Sequence, residues 1–164
     1  MTIRVLVTGG TFDKQYNELH GTLTFGTTHV EQVLERGRCR LDVRVEVLMM
    51  MDSLEMQDPH RARIVAAAQA CPEAQVVITH GTDTMVETAR ALAAAVPRKT
   101  IVLTGAMVPF AFGSSDGLFN LGSALSFAQV LPPGVYVAMN GKYFPWDDVR
   151  KNRELGVFEA IRGA

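Results

Sequence analysis

The sequence lacks a strong charge of either sign, has few cysteines and contains no apolar run of membrane-spanning length. Its formal net charge of −1 provides no general attraction for nucleic acid or for an anionic lipid surface. We therefore expect neither a nucleic-acid partner nor a membrane. The two cysteines, Cys39 and Cys71, lie far apart and match no metal-binding or redox spacing. Since the first residues predict a strand instead of a signal segment, we expect a soluble protein in the reducing cytoplasm.

Signatures of metal and dinucleotide binding are also missing. Because the histidines show no ligand spacing, we predict no metal site. The four histidines are His20, His29, His60 and His80. The pair Gly9-Gly10 lies in the pattern Thr-Gly-Gly-Thr and not in Gly-x-Gly-x-x-Gly, so a dinucleotide-binding turn is poorly supported. A phosphate- or nucleotide-binding domain would rest on these two glycines and on fold analogy alone.

Apolar, β-branched segments alternate regularly with helical patterns along the chain. Strands are predicted at 3–8, 43–49, 76–79, 100–104 and 135–139. Helices are predicted at 28–36, 58–70, 83–95 and from Asp116 or Ser115 to Val130. This order predicts one doubly wound, flavodoxin-like or Rossmann-like α/β domain over residues 1–164, with a mainly parallel sheet and right-handed crossovers. The irregular residues 12–26 are expected to form a mobile lid or a hairpin.

Small polar residues follow the strand at 76–79, where the unpaired N–H groups of the next helix face the edge of the sheet. Ligands of open α/β sheets bind at this edge. Asp83 has two interpretations: it caps the following helix, with Glu87 supporting the first turn, or it belongs to a functional site together with Thr82. Thr11, after the first strand, is either a turn-stabilising residue or a functional hydroxyl.

The loops after the predicted strands converge at one edge of the sheet, because parallel strands end on the same side. The polar residues of these loops are therefore expected to lie close together. They include Thr11 after the first strand, Ser53 after the second and Thr82 after the third. The basic run 150–153 follows the fifth strand and is the kind of segment that normally forms a solvated face.

Read together, two of these loops resemble the signature motifs of bacterial-type L-asparaginases. They are Thr-Gly-Gly-Thr at 8–11 and His-Gly-Thr-Asp-Thr-Met at 80–85. Residues 52–56, Asp-Ser-Leu-Glu-Met, resemble the substrate-binding segment of that family. Further similarity is found at 103–109, 115–121 and 138–141. The resemblance extends over essentially the whole chain, and ordered motifs of this length are highly specific.

The resemblance implies an amidohydrolase that converts L-asparagine to L-aspartate and ammonia through an acyl-enzyme, with no metal or organic cofactor. It implies that Thr11 is the nucleophile and that Tyr16 lies near it on the lid. Thr82, Asp83 and Lys151 match the second catalytic set of the family. A threonine hydroxyl is a weak nucleophile and needs a base within hydrogen-bond reach, and Lys151 is the candidate.

The same resemblance implies a set of substrate-binding residues. Ser53 and Asp83 would hold the α-carboxylate and α-amino groups, and the main-chain carbonyl of Ala106 would contact the scissile amide. Backbone N–H groups of the glycine turn and of Thr82 would stabilise the oxyanion. The full set is Gly10, Ser53, Leu54, Gly81, Thr82, Asp83 and Ala106. Leu54 replaces a polar residue found in many members of the family.

One difference concerns length. Members of the family are usually about twice as long and have a C-terminal domain that completes the site of a neighbouring subunit. The sequence predicts a short form without that domain, so selectivity is expected to change, with glutamine or another small amide as possible substrates. By analogy with the family we also expect a homo-oligomer. Its candidate contact residues, for which core packing is the equal alternative, are Phe110, Phe112, Tyr143, Phe144 and Trp146.

A function of a different class remains open. The same polar loops would suit a non-catalytic module that binds an amino acid or an amide without hydrolysing it. The presence of Thr11, Thr82 and Lys151 argues against this alternative, because binding alone has little need for a second hydroxyl–lysine set.

Overall fold

A six-stranded sheet forms the centre of the protein in a computed structural model that describes residues 1–162. In chain order the strands are β1 (Thr2–Gly9), β2 (Lys14–Asn17), β3 (Thr22–Phe25), β4 (Asp42–Met51), β5 (Gln75–Thr79), β6 (Thr100–Thr104), β7 (Gly134–Met139), β8 (Lys142–Pro145), β9 (Arg150–Asn152) and β10 (Val157–Glu159). The helices are α1 (Val30–Arg36), α2 (Asp58–Ala70), α3 (Met85–Ala95) and α4 (Gly117–Val130). The predicted doubly wound α/β fold is confirmed.

The order of strands across the sheet is β4-β1-β5-β6-β7-β8. The first five strands are parallel, and β8 is antiparallel to β7. The chain winds outward in both directions from β1, which has β4 on one side and β5 on the other. Ligand sites of such sheets lie beyond the carboxyl ends of the strands at this change of direction. The ends of β1, β4 and β5 therefore mark the expected place of a site.

Two helices cover each face of the sheet, and their arrangement corrects one prediction. Side chains of α2 and α3 share one core cluster, whereas side chains of α1 and α4 share the other. Because β5, β6 and β7 are consecutive neighbours, α3 and α4 on opposite faces give their two crossovers opposite hands. The connection through α4 therefore has the opposite hand to the other three. The prediction of uniformly right-handed crossovers is wrong for one of the four connections.

A hairpin, a tight turn and a two-stranded ribbon complete the architecture. Residues 12–26, predicted to form a lid or a hairpin, contain the antiparallel hairpin β2–β3, in which Tyr16 pairs with Leu23. Asn140 and Gly141 both have positive φ, 54° and 80°, which is the conformation of a tight turn between antiparallel strands, and they connect β7 to β8. Strands β9 and β10 then form a separate two-stranded ribbon. None of the helices in residues 1–162 has the length and apolar character needed to span a membrane.

Candidate active site

Three of the predicted site loops are in direct contact at their glycines. Gly10 has a φ of 75°, and a Cβ atom placed on it would lie 2.4 Å from the backbone nitrogen of Gly81. A Cβ atom on Gly81 would lie 2.4 Å from the hydroxyl oxygen of Ser53. Glycine is therefore required at both positions for the backbones to approach this closely. The contacts bring together the loops that follow β1, β4 and β5.

The loop after β6 joins the same group. The backbone N–H of His80 donates to the carbonyl of Thr104 at 2.8 Å, and a Cβ atom on Gly105 would lie 2.3 Å from the carbonyl oxygen of His80. The buried amide of Asn120 donates to the Gly105 carbonyl at 2.9 Å and accepts from the backbone N–H of Asn140, also at 2.9 Å. Asn120 on α4 thus fixes the loop after β6 against the end of β7.

Lys151, Thr82 and Asp83 form a hydrogen-bonded cluster above these loops. The Lys151 Nζ atom donates to Thr82 Oγ1 at 2.7 Å and to Asp83 Oδ1 at 2.9 Å. Thr82 is buried, and the Lys151 side chain is only 13% exposed. Lys151 is the central residue of β9, whose pairing with β10 holds its backbone. The basic run 150–153 is therefore only partly the solvated face that its sequence indicates.

Asp83 belongs to this cluster and does not cap the next helix. Thr84 is the N-cap residue of α3 and makes no side-chain capping bond. Its hydroxyl donates to the carbonyl of Ser53 at 2.8 Å, so it ties the loop after β5 to the loop after β4. Glu87 pairs with Arg61 on α2 at 2.7 Å. Glu87 does lie in the first turn of α3, as expected, but the capping interpretation of Asp83 is wrong, and Asp83 Oδ1 is free to accept from cations.

The loop after β4 presents Ser53 inward and Leu54 outward. The Ser53 hydroxyl is buried and has no hydrogen-bond partner within residues 1–162. The Leu54 side chain is 65% exposed, and its backbone N–H donates to Asp52 at 3.0 Å. Asp52 is also ion-paired with Lys14 of β2. Burial alone would raise the pKa of the Asp52 carboxyl, but the hydrogen bonds from Lys14 and from the Leu54 N–H, together with the Lys14 charge, hold this pKa below its usual value. Buried hydroxyls are normally paired, so Ser53 is a good candidate to bind a ligand.

The backbone donors around Thr11 differ in part from the prediction. The N–H of Gly10 donates to the carbonyl of Met51 at 2.9 Å and is therefore not available to an oxyanion. The N–H groups of Thr11 and Thr82 have no acceptor in the described part of the chain. Thr11 is half-buried at the start of a short 3-10 turn, and Ala106 is buried in the core beside the site. The N–H groups of Thr11 and Thr82 are therefore available to an oxyanion at this edge.

Tyr16 is not hydrogen-bonded to the other predicted residues. Its side chain is 60% exposed on the hairpin β2–β3, and its hydroxyl makes no hydrogen bond within the part of the chain that the structure describes. The hairpin itself is held at its base by Asp13, whose carboxylate accepts from His29 N at 2.7 Å and from Thr28 Oγ1 at 3.0 Å. Burial raises the pKa of Asp13. The sequence patterns did not identify Asp13 as a site residue, although its position two residues after Thr11 indicated that it lies close to the site.

His80 is a buried histidine that supports the loop from beneath. Its Nδ1–H donates to the carbonyl of Gly81 at 2.7 Å, and its Nε2 accepts from the Thr88 hydroxyl at 2.8 Å. These roles are those of the neutral ring, and Nε2 also lies 3.2 Å from the sulfur of Met56. Burial, opposed only partly by the hydrogen bond to Gly81, lowers the pKa of His80 to about 4. His80 therefore connects the loop after β5 to α3 and to the loop after β4.

Because His80 is buried and neutral, we expect the folded protein to lose stability in acid. The pKa of His80 falls from 6.5 in the unfolded chain to about 4 in the folded protein. Between pH 6.5 and pH 4, His80 is protonated in the unfolded chain and stays neutral in the folded protein. The free energy of unfolding therefore decreases as the pH falls from 6.5 to 4. The loss should reach about 3 kcal/mol. Urea unfolding across this range should show a flatter pH profile for His80→Gln than for the wild type, whereas the exposed-site control His20→Gln should keep the wild-type slope.

The aromatic residues considered as subunit contacts are of two kinds. Phe110 and Phe144 are buried, and Trp146 packs against the core. Phe112 and Tyr143 are about half exposed. Core packing therefore accounts for three of the five positions.

Comparisons with known proteins identify the family. Residues 2–161 match the family described as asparaginase, N-terminal. This chain belongs to the asparaginase family. It is 33% identical to an L-asparaginase of Thermococcus kodakarensis over 98% of the chain and 51% of that protein. It is 32% identical to a probable periplasmic L-asparaginase of Haemophilus influenzae over 94% of the chain and 47% of that protein.

Solved asparaginase structures share the fold. The structure of the thermostable L-asparaginase from Thermococcus kodakarensis matches with a TM-score of 0.88 and 31% identity, over 100% of this chain and 52% of that one. A probable cytoplasmic L-asparaginase from Campylobacter jejuni matches with a TM-score of 0.83 and 32% identity, over 99% and 53% of the two chains. The chain spans about half the length of the curated relatives it matches. Since these relatives carry both periplasmic and cytoplasmic names, they leave its location undetermined.

Proposed function

We propose that this chain is an amidohydrolase that converts L-asparagine to L-aspartate and ammonia through an acyl-enzyme on Thr11. The observation that supports it most is the cluster in which Lys151 Nζ lies 2.7 Å from Thr82 Oγ1 and 2.9 Å from Asp83 Oδ1. The close contact of Gly10 with Gly81, each next in sequence to one of the two threonines, supports a shared site for the cluster and Thr11. Membership of the asparaginase family supports the same reaction.

The chemical steps follow from these positions. Thr11 Oγ1 attacks the amide carbon, so that a C–O bond forms and the carbonyl oxygen gains negative charge. The free N–H groups of Thr11 and Thr82 donate to this oxyanion, and one such donor is typically worth about 10²–10³ in rate. The Thr11 proton passes through the Thr82–Lys151 pair to the leaving nitrogen, which departs as ammonia. Water then cleaves the acyl–threonine ester and releases aspartate.

The remaining predicted residues bind and enclose the substrate. The buried Ser53 hydroxyl, which lacks a partner within residues 1–162, donates to the α-carboxylate. Asp83 accepts from the α-amino group, and Ala106 orients the scissile amide through its carbonyl. Gly81 and the exposed Leu54 line the opening. Tyr16 acts from the hairpin β2–β3, closing over Thr11 when the substrate is bound.

The setting of the protein is also part of the proposal. We place it in the cytoplasm, as an asparaginase N-terminal-type domain that assembles with further copies of itself. Exposed aromatic residues support self-association, since Phe112 and Tyr143 both face solvent. No cofactor takes part in the proposed steps.

Release of ammonia tests the function directly. Purified wild-type protein is incubated with L-asparagine, L-glutamine and a panel of small amides, and ammonia is measured by a coupled assay. The proposal expects release from at least L-asparagine, with equal amounts of ammonia and aspartate. No release from any of these amides by protein with a cooperative unfolding transition would instead favour a binding module, which calorimetry with the same compounds would detect.

A further inference from the structure

Arg153 is a second cationic contact of Asp83 at the proposed site, and no part of the mechanism uses it. Its guanidinium Nη1 atom lies 3.0 Å from Asp83 Oδ1, the same oxygen that accepts from Lys151. The Arg153 side chain is 64% exposed, whereas that of Asp83 is 27% exposed. Arg153 therefore reaches from the solvent onto the carboxylate that, in the proposed function, receives the substrate α-ammonium group.

The charges around Asp83 do not balance. One carboxylate faces two cations, so this part of the site carries an excess of positive charge. Of the acidic residues beside Arg153, Glu159 is paired with Arg150 at 2.8 Å, and Glu154 makes no ion pair with Arg153 within residues 1–162. A substrate ammonium group at Asp83 would compete with Arg153 and would lie close to two like charges. A substrate carboxylate would gain from the same field.

We propose that Arg153 directs the site toward ω-amides that carry a free carboxylate and no α-ammonium group. Succinamate, the monoamide of a four-carbon dicarboxylic acid, represents this class. The proposal rests on the proposed amidohydrolase function and refines its substrate. Hydrolysis balances as before: the C–N bond breaks, a C–O bond to water forms, and succinate and ammonia leave. The Ser53 hydroxyl, which has no internal partner in the described chain, donates to the free carboxylate.

Arg153 acts through its charge at an exposed position, so solvent screening limits its effect. We expect a change of about tenfold in selectivity, because solvent at this exposed position reduces the cost of a like-charge contact well below the cost of the same contact when buried. The effect should fall as ionic strength rises. A contact made only through the shape of the side chain would not depend on salt in this way.

The test compares kcat/KM for succinamate and L-asparagine in the wild type, in Arg153→Gln and in a matched control. Arg150→Gln removes an arginine of the same ribbon that pairs with Glu159 and not with Asp83. The wild type should prefer succinamate, and the preference should fall about tenfold in Arg153→Gln and stay unchanged in Arg150→Gln. A wild type that prefers asparagine, or an equal ratio in wild type and Arg153→Gln, overturns the proposal.

A binding measurement separates failure of this proposal from failure of the proposed function. Calorimetry on Thr11→Val, with and without Arg153→Gln, measures the affinities for succinate and L-aspartate in the absence of turnover. Tighter binding of succinate that depends on Arg153 supports the proposal even if neither amide is hydrolysed, in which case only the catalytic function fails. Tighter binding of aspartate, equal binding, or binding of neither compound overturns the substrate class.

Discussion

Replacing Thr11 with valine is expected to lower kcat for amide hydrolysis by at least about 10³-fold, because the variant keeps the shape of the side chain and loses the attacking oxygen. Thr11 is half-buried at the start of its 3-10 turn, and its hydroxyl makes no hydrogen bond within residues 1–162, so the fold should tolerate the change. Ammonia release under substrate saturation measures kcat. Urea unfolding of the same sample checks that the variant is folded.

Thr11→Ser is the matched control, since it restores a hydroxyl at the same position. It should recover part of the activity that Thr11→Val loses. If Thr11→Val hydrolyses asparagine at a rate near that of the wild type, Thr11 is not the nucleophile and the proposed acyl-enzyme lies elsewhere.

The second large effect is expected for Lys151→Met, which removes the ammonium group and keeps most of the apolar stem. Lys151 donates to Thr82 Oγ1 and Asp83 Oδ1, so its loss removes one of the two groups that carry the proton from Thr11 to the leaving nitrogen. We expect kcat to fall by about 10²–10⁴-fold, the usual contribution of a positioned acid or base. The change in KM should be smaller, because the proposed carboxylate contact of Ser53 remains.

Lys142→Met provides the control for this experiment. Lys142 is exposed on β8 and has no ion pair in the described structure, so its replacement should leave kcat unchanged. A Lys151→Met variant with wild-type kcat and a raised KM would assign Lys151 to substrate binding alone.

The fold followed from sequence patterns that are local. β-branched apolar runs predicted β1, β5, β6 and β7, and the structure places each strand within about two residues of its prediction. The hand of the crossover through α4 was not predictable in this way. The hand of a crossover depends on which face of the sheet its helix covers. The sequence of α4 contains no short pattern that indicates this face.

Sequence patterns likewise predicted only part of the candidate site. The glycine motifs identified Thr11, Thr82 and Asp83, because close backbone contacts require glycine at fixed positions. By pattern alone Lys151 belonged to a solvated basic run. Its burial depends on contacts with Thr82 and Asp83, 69 and 68 residues away in the sequence, and residue spacing cannot reveal such contacts. Only the resemblance to the asparaginases indicated its role.

Asp13 shows the same limit. Its carboxylate holds the two ends of the hairpin segment by accepting from Thr28 and His29, which are 15 and 16 residues further along the chain. Thr28 and Glu31 have the spacing of a capping box in the sequence, which indicates a helix start closed by these two residues and gives no role to Asp13. The structure shows instead that Thr28 Oγ1 accepts from Val30 N at 3.2 Å while Asp13 takes the N–H of His29.

A covalent trap distinguishes attack on the amide by Thr11, which we propose, from attack by Thr82. Wild-type protein is mixed with L-asparagine, quenched in acid within the first turnovers, digested with trypsin and analysed by tandem mass spectrometry. Thr11 falls in the peptide 5–14, whereas Thr82 falls in the peptide 64–90. We expect an aspartyl group on Thr11 in the first peptide of the wild type, and we expect no such group in the same peptide of Thr11→Val. An aspartyl group on Thr82 in the second peptide would contradict it.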